Sequence, residues 1–353
     1  MKRGFFQGLP SDIKQGLQSL MFSRQQKQKT IDICHSTPNV WSPEAEFGWD
    51  SVPCPSSTAL YKIGRTMYET DRVPVAWIPR LRRMDEIWVP TRWAQDIFQK
   101  EIGQESDVRV VVIPEAVDTQ FFDPAREHTN LSVLKRQNNM YTFLSVLKFE
   151  TRKNWKDLIE AFFDEFDSNE KVRLVLKTSE FHNDRSVKEE IEEFLHMKNH
   201  KYSKERLVLI HQMLKTEELP SLYAAANAFV LPSHGEGWGR PHVEAMSMSL
   251  PVIATNWSGP TEFMNEKNSL PLKVQRMIKS STNGHLWAKP SMKELRRLMR
   301  WCVENPILAS KIGERARKDM VDLYNPERVA GIVVRRLSEV REAMLNGDDD
   351  REL

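Results

Sequence analysis

Apolar residues divide the chain into a polar start and two alternating stretches separated by a polar gap. Residues 1–30 are rich in Gln and Lys, with Ile13, Leu17, Leu20 and Met21 at helical spacing. A short strand-like run at 31–34 stops at His35-Ser36-Thr37-Pro38, which has the composition of a turn. Residues 41–57 are Pro-rich and read as loop. The run at 86–89 predicts a strand ended by Pro90, and Thr91 can cap a helix over 92–100. The β-branched run at 108–113 predicts a strand buried on both faces.

Residues 124–139 are polar and without periodicity, as expected of an interdomain linker. Beyond them, strands are predicted at 141–147, 172–177, 207–210, 228–231 and 251–254. Helices at 155–166, 186–197, 217–226 and 243–248 alternate with them, and Leu158, Ile159, Phe162 and Phe166 share one face of the first. Such alternation implies a parallel sheet with helices on both faces. Ligands of these sheets bind beyond the carboxyl ends of the strands. That rule selects His35, the turn 148–153 and the loop 235–240.

At 353 residues the chain has material for about two domains. Its formal charge of +2, from 51 basic and 49 acidic residues, supplies no global field for nucleic acid. The cysteines, Cys34, Cys54 and Cys302, fit neither a paired disulfide framework nor a zinc spacing. Unpaired thiols imply a reducing, cytoplasmic setting; the ER or Golgi is the alternative if a signal preceded the chain. The N-terminus lacks the apolar region of a signal peptide, and no run reaches the ~20 apolar residues of a membrane helix. No Asp-x-Asp pair sits in a turn suited to a cation, so no obligatory metal and no cofactor are expected.

The chemistry concentrates at 231–246, where a strand runs through a Gly-rich turn into a helix. Gly235, Gly237 and Gly239 let backbone approach a ligand closely, and the helix presents free N–H groups to a phosphate. Glu236 and Glu244 lie eight positions apart, one in the loop and one a helical turn in. Ser233 precedes the loop and Arg240 closes it.

This segment resembles the donor-binding motif of retaining glycosyltransferases of the glycogen-synthase/sucrose-synthase-like clan (glycosyl transferases group 1, family 4 type). The residues that carry it are Glu236, Glu244-Ala245-Met246, Pro251-Val252-Ile253-Ala254 and Ser258-Gly259-Pro260-Thr261-Glu262. Upstream, 219–233 resembles the helix and strand that precede the motif. The resemblance implies the GT-B fold: two Rossmann-like α/β domains whose parallel sheets face a cleft. It places an acceptor-side domain at 1–125, a linker at 126–140 and a nucleotide-sugar domain at 141–325. A helix at 326–345 would cross back, followed by an acidic tail at 346–353.

The resemblance further implies that Glu236 contacts the transferred sugar and Glu244 the ribose, and that Arg152 and Lys153, with Lys148 near them, neutralise the donor diphosphate. His35 matches a histidine that faces the donor sugar. Arg65 and Glu69, in a polar stretch of the N-terminal half, are candidates for the acceptor side. No general base is expected, so the protein's task would be positioning and electrostatic stabilisation. The partners are a nucleotide-sugar donor, UDP- or GDP-linked, and a carbohydrate, lipid or protein acceptor.

Two departures stand out. No glycine-rich turn precedes His35, so the N-terminal domain is expected to be incomplete. Ser249-Leu250 stand before Pro251 where a glycine is usual, so that turn must tolerate a Cβ. The first departure motivates a second reading, a catalytically impaired or truncated nucleotide-sugar-binding protein acting as sensor or scaffold. A NAD-binding reading needs Gly-x-Gly-x-x-Gly after the first strand, and none is there.

Overall fold

A computed structural model describes residues 30–41, 54–103, 105–128, 140–178, 186–280 and 284–349. The helix expected near Ile13 and most of the expected linker lie outside these residues. The chain divides into two compact units. The first holds the described residues of Met1–Met67, Val73–Val89 and Gln95–Val112; the second takes Tyr68–Arg72, Pro90–Ala94 and Ile113 onward.

The first unit is built on a four-stranded parallel sheet in the order β1 (Ile31–His35), β2 (Tyr61–Arg65), β3 (Glu86–Val89), β4 (Arg109–Val112). Strand β3 is central and buried throughout. Strand β4 corrects an expectation: only Val110 of its four residues is fully buried, because β4 is an edge strand. A short helix α1 (Ile78–Leu81) leads into β3, and α2 (Arg92–Ile102) follows it. The Thr91 hydroxyl accepts from Ala94 N at 3.0 Å, the N-cap that its position predicted. Strand β2 was not expected. A Cβ on Gly64 would lie 2.3 Å from the buried Trp41 ring, so the strand carries a glycine in mid-run and loses its apolar signal.

The cysteines also require correction. Cys34 and Cys54 form a disulfide, with Cα atoms 5.6 Å apart, and Cys302 is free and buried. The pair is 20 residues apart in sequence, and the folded course of the chain brings it together, which spacing alone does not reveal. The thiols therefore no longer argue for a reducing compartment.

The second unit has a six-stranded sheet in which every adjacent pair is parallel. Its order is β10 (Leu270–Leu272), β9 (Val252–Thr255), β8 (Ala228–Leu231), β5 (Tyr141–Val146), β6 (Val172–Lys177), β7 (Leu207–Ile210). The connecting helices are α3 (Trp155–Glu165), α4 (Val187–Met197), α5 (Leu219–Ala224) and α6 (Arg240–Ser247). The order reverses between β5 and β8, so the turns after these two strands open onto the topological switch point. An antiparallel hairpin, β11 (Val274–Lys279) and β12 (Leu286–Pro290), precedes helices α7 (Met292–Glu304), α8 (Pro306–Leu323) and α9 (Pro326–Asp349). No described helix is long and apolar enough to cross a membrane.

Ser249 adopts φ +59°, the left-handed conformation that glycine accepts most readily. The turn is fixed from the other side, since a Cβ on Gly313 of α8 would lie 2.0 Å from the Ser249 carbonyl oxygen. The small residue needed for this close approach is on the facing helix, and the turn itself carries the Cβ.

Candidate active site

Three turns meet at the switch point of the second unit. After β5, the chain makes a single 3-10 turn, Thr151–Lys153, and Asn154 then enters the left-handed region at φ +55°. Asn154 suits that conformation, and its amide donates to Pro232 O and Asp157 Oδ2, both at 3.0 Å. The turn after β8 is tied to it by His234 N donating to Arg152 O at 2.8 Å. The turn after β9 closes the set. Thr255 Oγ1 donates to Ser233 O at 2.6 Å, Glu236 N to Ser258 Oγ at 2.9 Å, and Gly259 N to Glu236 O at 2.9 Å. The Glu236 backbone is therefore held on both its N–H and its carbonyl.

The Glu236 side chain is 7% exposed and receives two cations. Lys153 Nζ donates to both its oxygens, at 2.7 and 2.8 Å, and Arg152 Nη1 to Oε2 at 3.1 Å. Burial alone would raise this carboxyl; Lys153 and Arg152 outweigh it and hold it at about 2. Glu236 is thus a fixed carboxylate at any physiological pH. Beneath it His242 is fully buried, and burial holds its imidazole neutral, at about 4, despite Glu236. Gly239, at φ +118°, leads into α6, and a Cβ there would lie 2.8 Å from His242 Nδ1.

Glu244, on α6, is 13% exposed at its side chain. The fully buried Tyr223 donates its hydroxyl to Glu244 Oε2 at 2.8 Å. Arg240 Nε lies 3.8 Å from the other oxygen, Oε1. Burial raises the Glu244 carboxyl, and the Tyr223 hydrogen bond and Arg240 oppose that shift.

The profile of glycosyl transferases group 1 matches residues 128–319, more than half of the chain and all of the site just described. The chain belongs to the glycosyl transferases group 1.

Among curated relatives of the group 1 chain, the O-antigen chain mannosyltransferase B of Escherichia coli is 48% identical over 50 residues, 14% of this chain and 13% of the relative. Sucrose synthase of Solanum tuberosum is 28% identical over 167 residues, 45% of this chain and 21% of the relative. A UDP-Gal:alpha-D-GlcNAc-diphosphoundecaprenol alpha-1,3-galactosyltransferase of Escherichia coli is 28% identical over 157 residues, 43% of this chain and 38% of the relative. The matches thus span well under half of each relative's length. Two solved structures share the fold. Sucrose-phosphate synthase from Thermosynechococcus elongatus superposes with TM-score 0.62 at 18% identity, over 81% of this chain and 69% of that one. Anabaena HepE in complex with UDP-glucose gives TM-score 0.62 at 14% identity, over 79% and 72%. The parallel sheets and these neighbours make the architecture of the group 1 chain GT-B.

The structure gathers Arg152, Lys153, Glu236 and the Gly235–Gly239 loop into one cluster, with Glu244 on the helix that follows and Tyr223 reaching it from α5. Ser233 is buried, its carbonyl taken by Thr255. Lys148 and Arg240 are exposed at the rim. His35 lies exposed at the carboxyl end of β1, beside Arg65 at the end of β2, both in the first unit. Glu69 belongs to the second unit, 3.2 Å from Arg152 Nε. Sequence reasoning missed Tyr223, Ser258 and His242. Tyr223 gave a signal, a tyrosine in the short helix directly before the motif strand, but its partner Glu244 is 21 residues on.

Proposed function

We propose that the protein transfers a hexosyl group from a nucleotide sugar, UDP- or GDP-linked, to a carbohydrate, lipid or protein acceptor, with retention at the anomeric carbon. The observation that carries this reading is the buried Glu236 carboxylate clamped between Lys153 and Arg152 at the switch point. In this reading Glu236 accepts hydrogen bonds from the sugar hydroxyls, and the two cations neutralise charge that develops on the leaving diphosphate. The N–H groups at the start of α6 face the phosphates, with Arg240 and Lys148 at the rim. Glu244 accepts from the ribose hydroxyls. His35 and Arg65 serve the donor sugar and acceptor side. The leaving phosphate takes the acceptor's proton, so neither a side-chain base nor a metal is part of the reading. The relatives named for mannosyl and galactosyl transfer and the neighbour bound to UDP-glucose support the donor class. Because Cys34 and Cys54 are paired, an oxidising compartment is the better proposal for where this happens.

Incubating the protein with UDP-glucose, UDP-galactose and GDP-mannose and following the anomeric proton by NMR tests the reaction. One donor should be consumed, by water or an added sugar, with first product of unchanged anomeric configuration. An inverted product, or consumption of none, would refute retaining transfer.

Tyr223 gives a separate prediction. Its hydroxyl satisfies Glu244 Oε2 and leaves Oε1, which Arg240 Nε approaches only to 3.8 Å, to serve the ribose in this reading. In Tyr223→Phe, affinity for a nucleoside diphosphate should fall about tenfold, from loss of a hydrogen bond to a charged group. Affinity for inorganic pyrophosphate should stay unchanged. Calorimetric titration of both ligands checks this.

A further inference from the structure

The arginine assigned to the diphosphate is already engaged. A guanidinium has five N–H donors. Nε of Arg152 lies 3.2 Å from Glu69 Oε1, and Nη2 donates to Glu150 Oε1 at 2.6 Å. Nη1 serves both Gly235 O, at 2.7 Å, and Glu236 Oε2, at 3.1 Å. With Lys153 on Glu236, the cluster contains two cations and three carboxylates. A diphosphate adds further negative charge to a largely buried group that already has a surplus of it. One carboxylate must then lose its charge or its contact.

The geometry singles out Glu69. Glu236 is also bound by Lys153, and Glu150 sits in the same turn as Arg152. Among the described residues, Glu69 forms its ion pair with Arg152. The carboxylate arrives from a separate segment, Tyr68–Arg72, which is anchored on the hairpin. Thr70 Oγ1 donates to Arg72 O at 2.8 Å and so accepts from His285 Nδ1, also at 2.8 Å. Leu286 N donates to Asp71 Oδ1 at 2.6 Å, and Asp71 N to Leu286 O at 3.4 Å. The Glu69 carbonyl oxygen sits 2.3 Å from where a Cβ on Gly235 would be, so only a glycine allows this approach. Five groups face the Glu69 carboxyl: Arg152, Lys153, Glu236, Glu150 and the neighbouring Tyr68. Burial raises it most; Glu236 and Glu150 raise it further, and Arg152 and Lys153 do not fully compensate.

We propose that Glu69 is a positioning residue, a built-in counterion that holds Arg152 in the empty site and yields it to the incoming diphosphate, taking up one proton. The proposal rests on the reading that Arg152 meets the donor diphosphate. It differs from the acceptor-side role that the sequence suggested for Glu69.

The sign follows directly. Ionised Glu69 competes with the ligand, so affinity falls as pH rises through the range in which Glu69 ionises in the empty site. The test is calorimetric titration of the full chain with UDP-glucose and GDP-mannose, whose diphosphates carry no titrating proton near neutrality. Buffers of different ionisation enthalpy then report the protons taken up. The expected result is net uptake on binding in the parent and none in Glu69→Gln. The variant should bind about tenfold tighter at the alkaline end, with a flat pH profile and an unchanged melting temperature. Proton uptake that persists in Glu69→Gln, or a variant that binds no tighter at any pH, would overturn the proposal while leaving the function reading intact. A parent that binds neither nucleotide sugar would overturn both.

Discussion

Lys153→Ala should cut turnover steeply and leave a protein that unfolds at a higher pH on acidification. Lys153 Nζ makes the two shortest contacts of the Glu236 carboxylate, and both side chains are under 10% exposed. Removing one partner of a buried pair leaves an uncompensated charge and costs about 3–5 kcal/mol. Arg152 retains one contact with Glu236, so the lower end applies. The Glu236 carboxyl is depressed from 4.5 to about 2. A depressed carboxyl contributes stability above its unfolded value, and that contribution is lost as pH falls from about 4.5 toward 2. Without Lys153 burial regains the upper hand, the carboxyl rises, and the acid transition moves up. Turnover should drop at least ~100-fold, the usual effect of deleting one electrostatic stabiliser. Urea unfolding at a series of pH values, with donor consumption measured in parallel, checks both. An unchanged acid transition would show that Lys153 does not hold Glu236 as described.

Gly259→Ala should be nearly as damaging, for a steric reason. A Cβ at 259 would lie 2.6 Å from the Gly237 carbonyl oxygen and 2.7 Å from that of Glu236. Both obstacles are backbone, so no side chain can rotate away. Overpacking of this kind costs about 1–3 kcal/mol. The larger effect falls on activity, because the backbone that must shift carries Glu236 and the Gly-rich turn. Displacements near 1 Å at such a site cost about 100-fold in rate. Thermal unfolding and donor consumption separate the two effects: melting should fall modestly and turnover steeply. Turnover close to the parent's would mean that the approach of the β9 turn to Glu236 is not needed for catalysis.

Where local pattern and global fold agree, the sequence is legible. Strands β5 to β9 begin and end within a residue of their predicted runs, because parallel strands covered on both faces are dominated by apolar residues, and the polar ones among them are few and buried, as Thr142, Ser145 and Arg173 are. The Gly-rich turn, Glu236, Arg152 and Lys153 were readable because each sits at the carboxyl end of such a strand. Elsewhere the signal was masked by tertiary demands. Strand β2 carries Gly64 because Trp41 needs its space. Strand β4 has the composition of a central strand but lies at an edge. The hairpin over 274–290 carries Arg276, Lys279 and Lys289 and shows no clean alternation. Nothing local couples Cys34 to Cys54, Tyr223 to Glu244 or Glu69 to Arg152. These contacts depend on chain crossings that composition and period do not encode.

The central claim, that the β5, β8 and β9 turns of the second unit form a nucleotide-sugar site, has one direct test. The parent protein and Glu244→Ala are titrated by calorimetry with UDP-glucose and GDP-mannose. The account predicts saturable one-site binding of at least one donor to the parent, weakened at least ~10-fold in Glu244→Ala by loss of the ribose contact. Absence of binding at millimolar donor, or equal affinity in the two proteins, would contradict it.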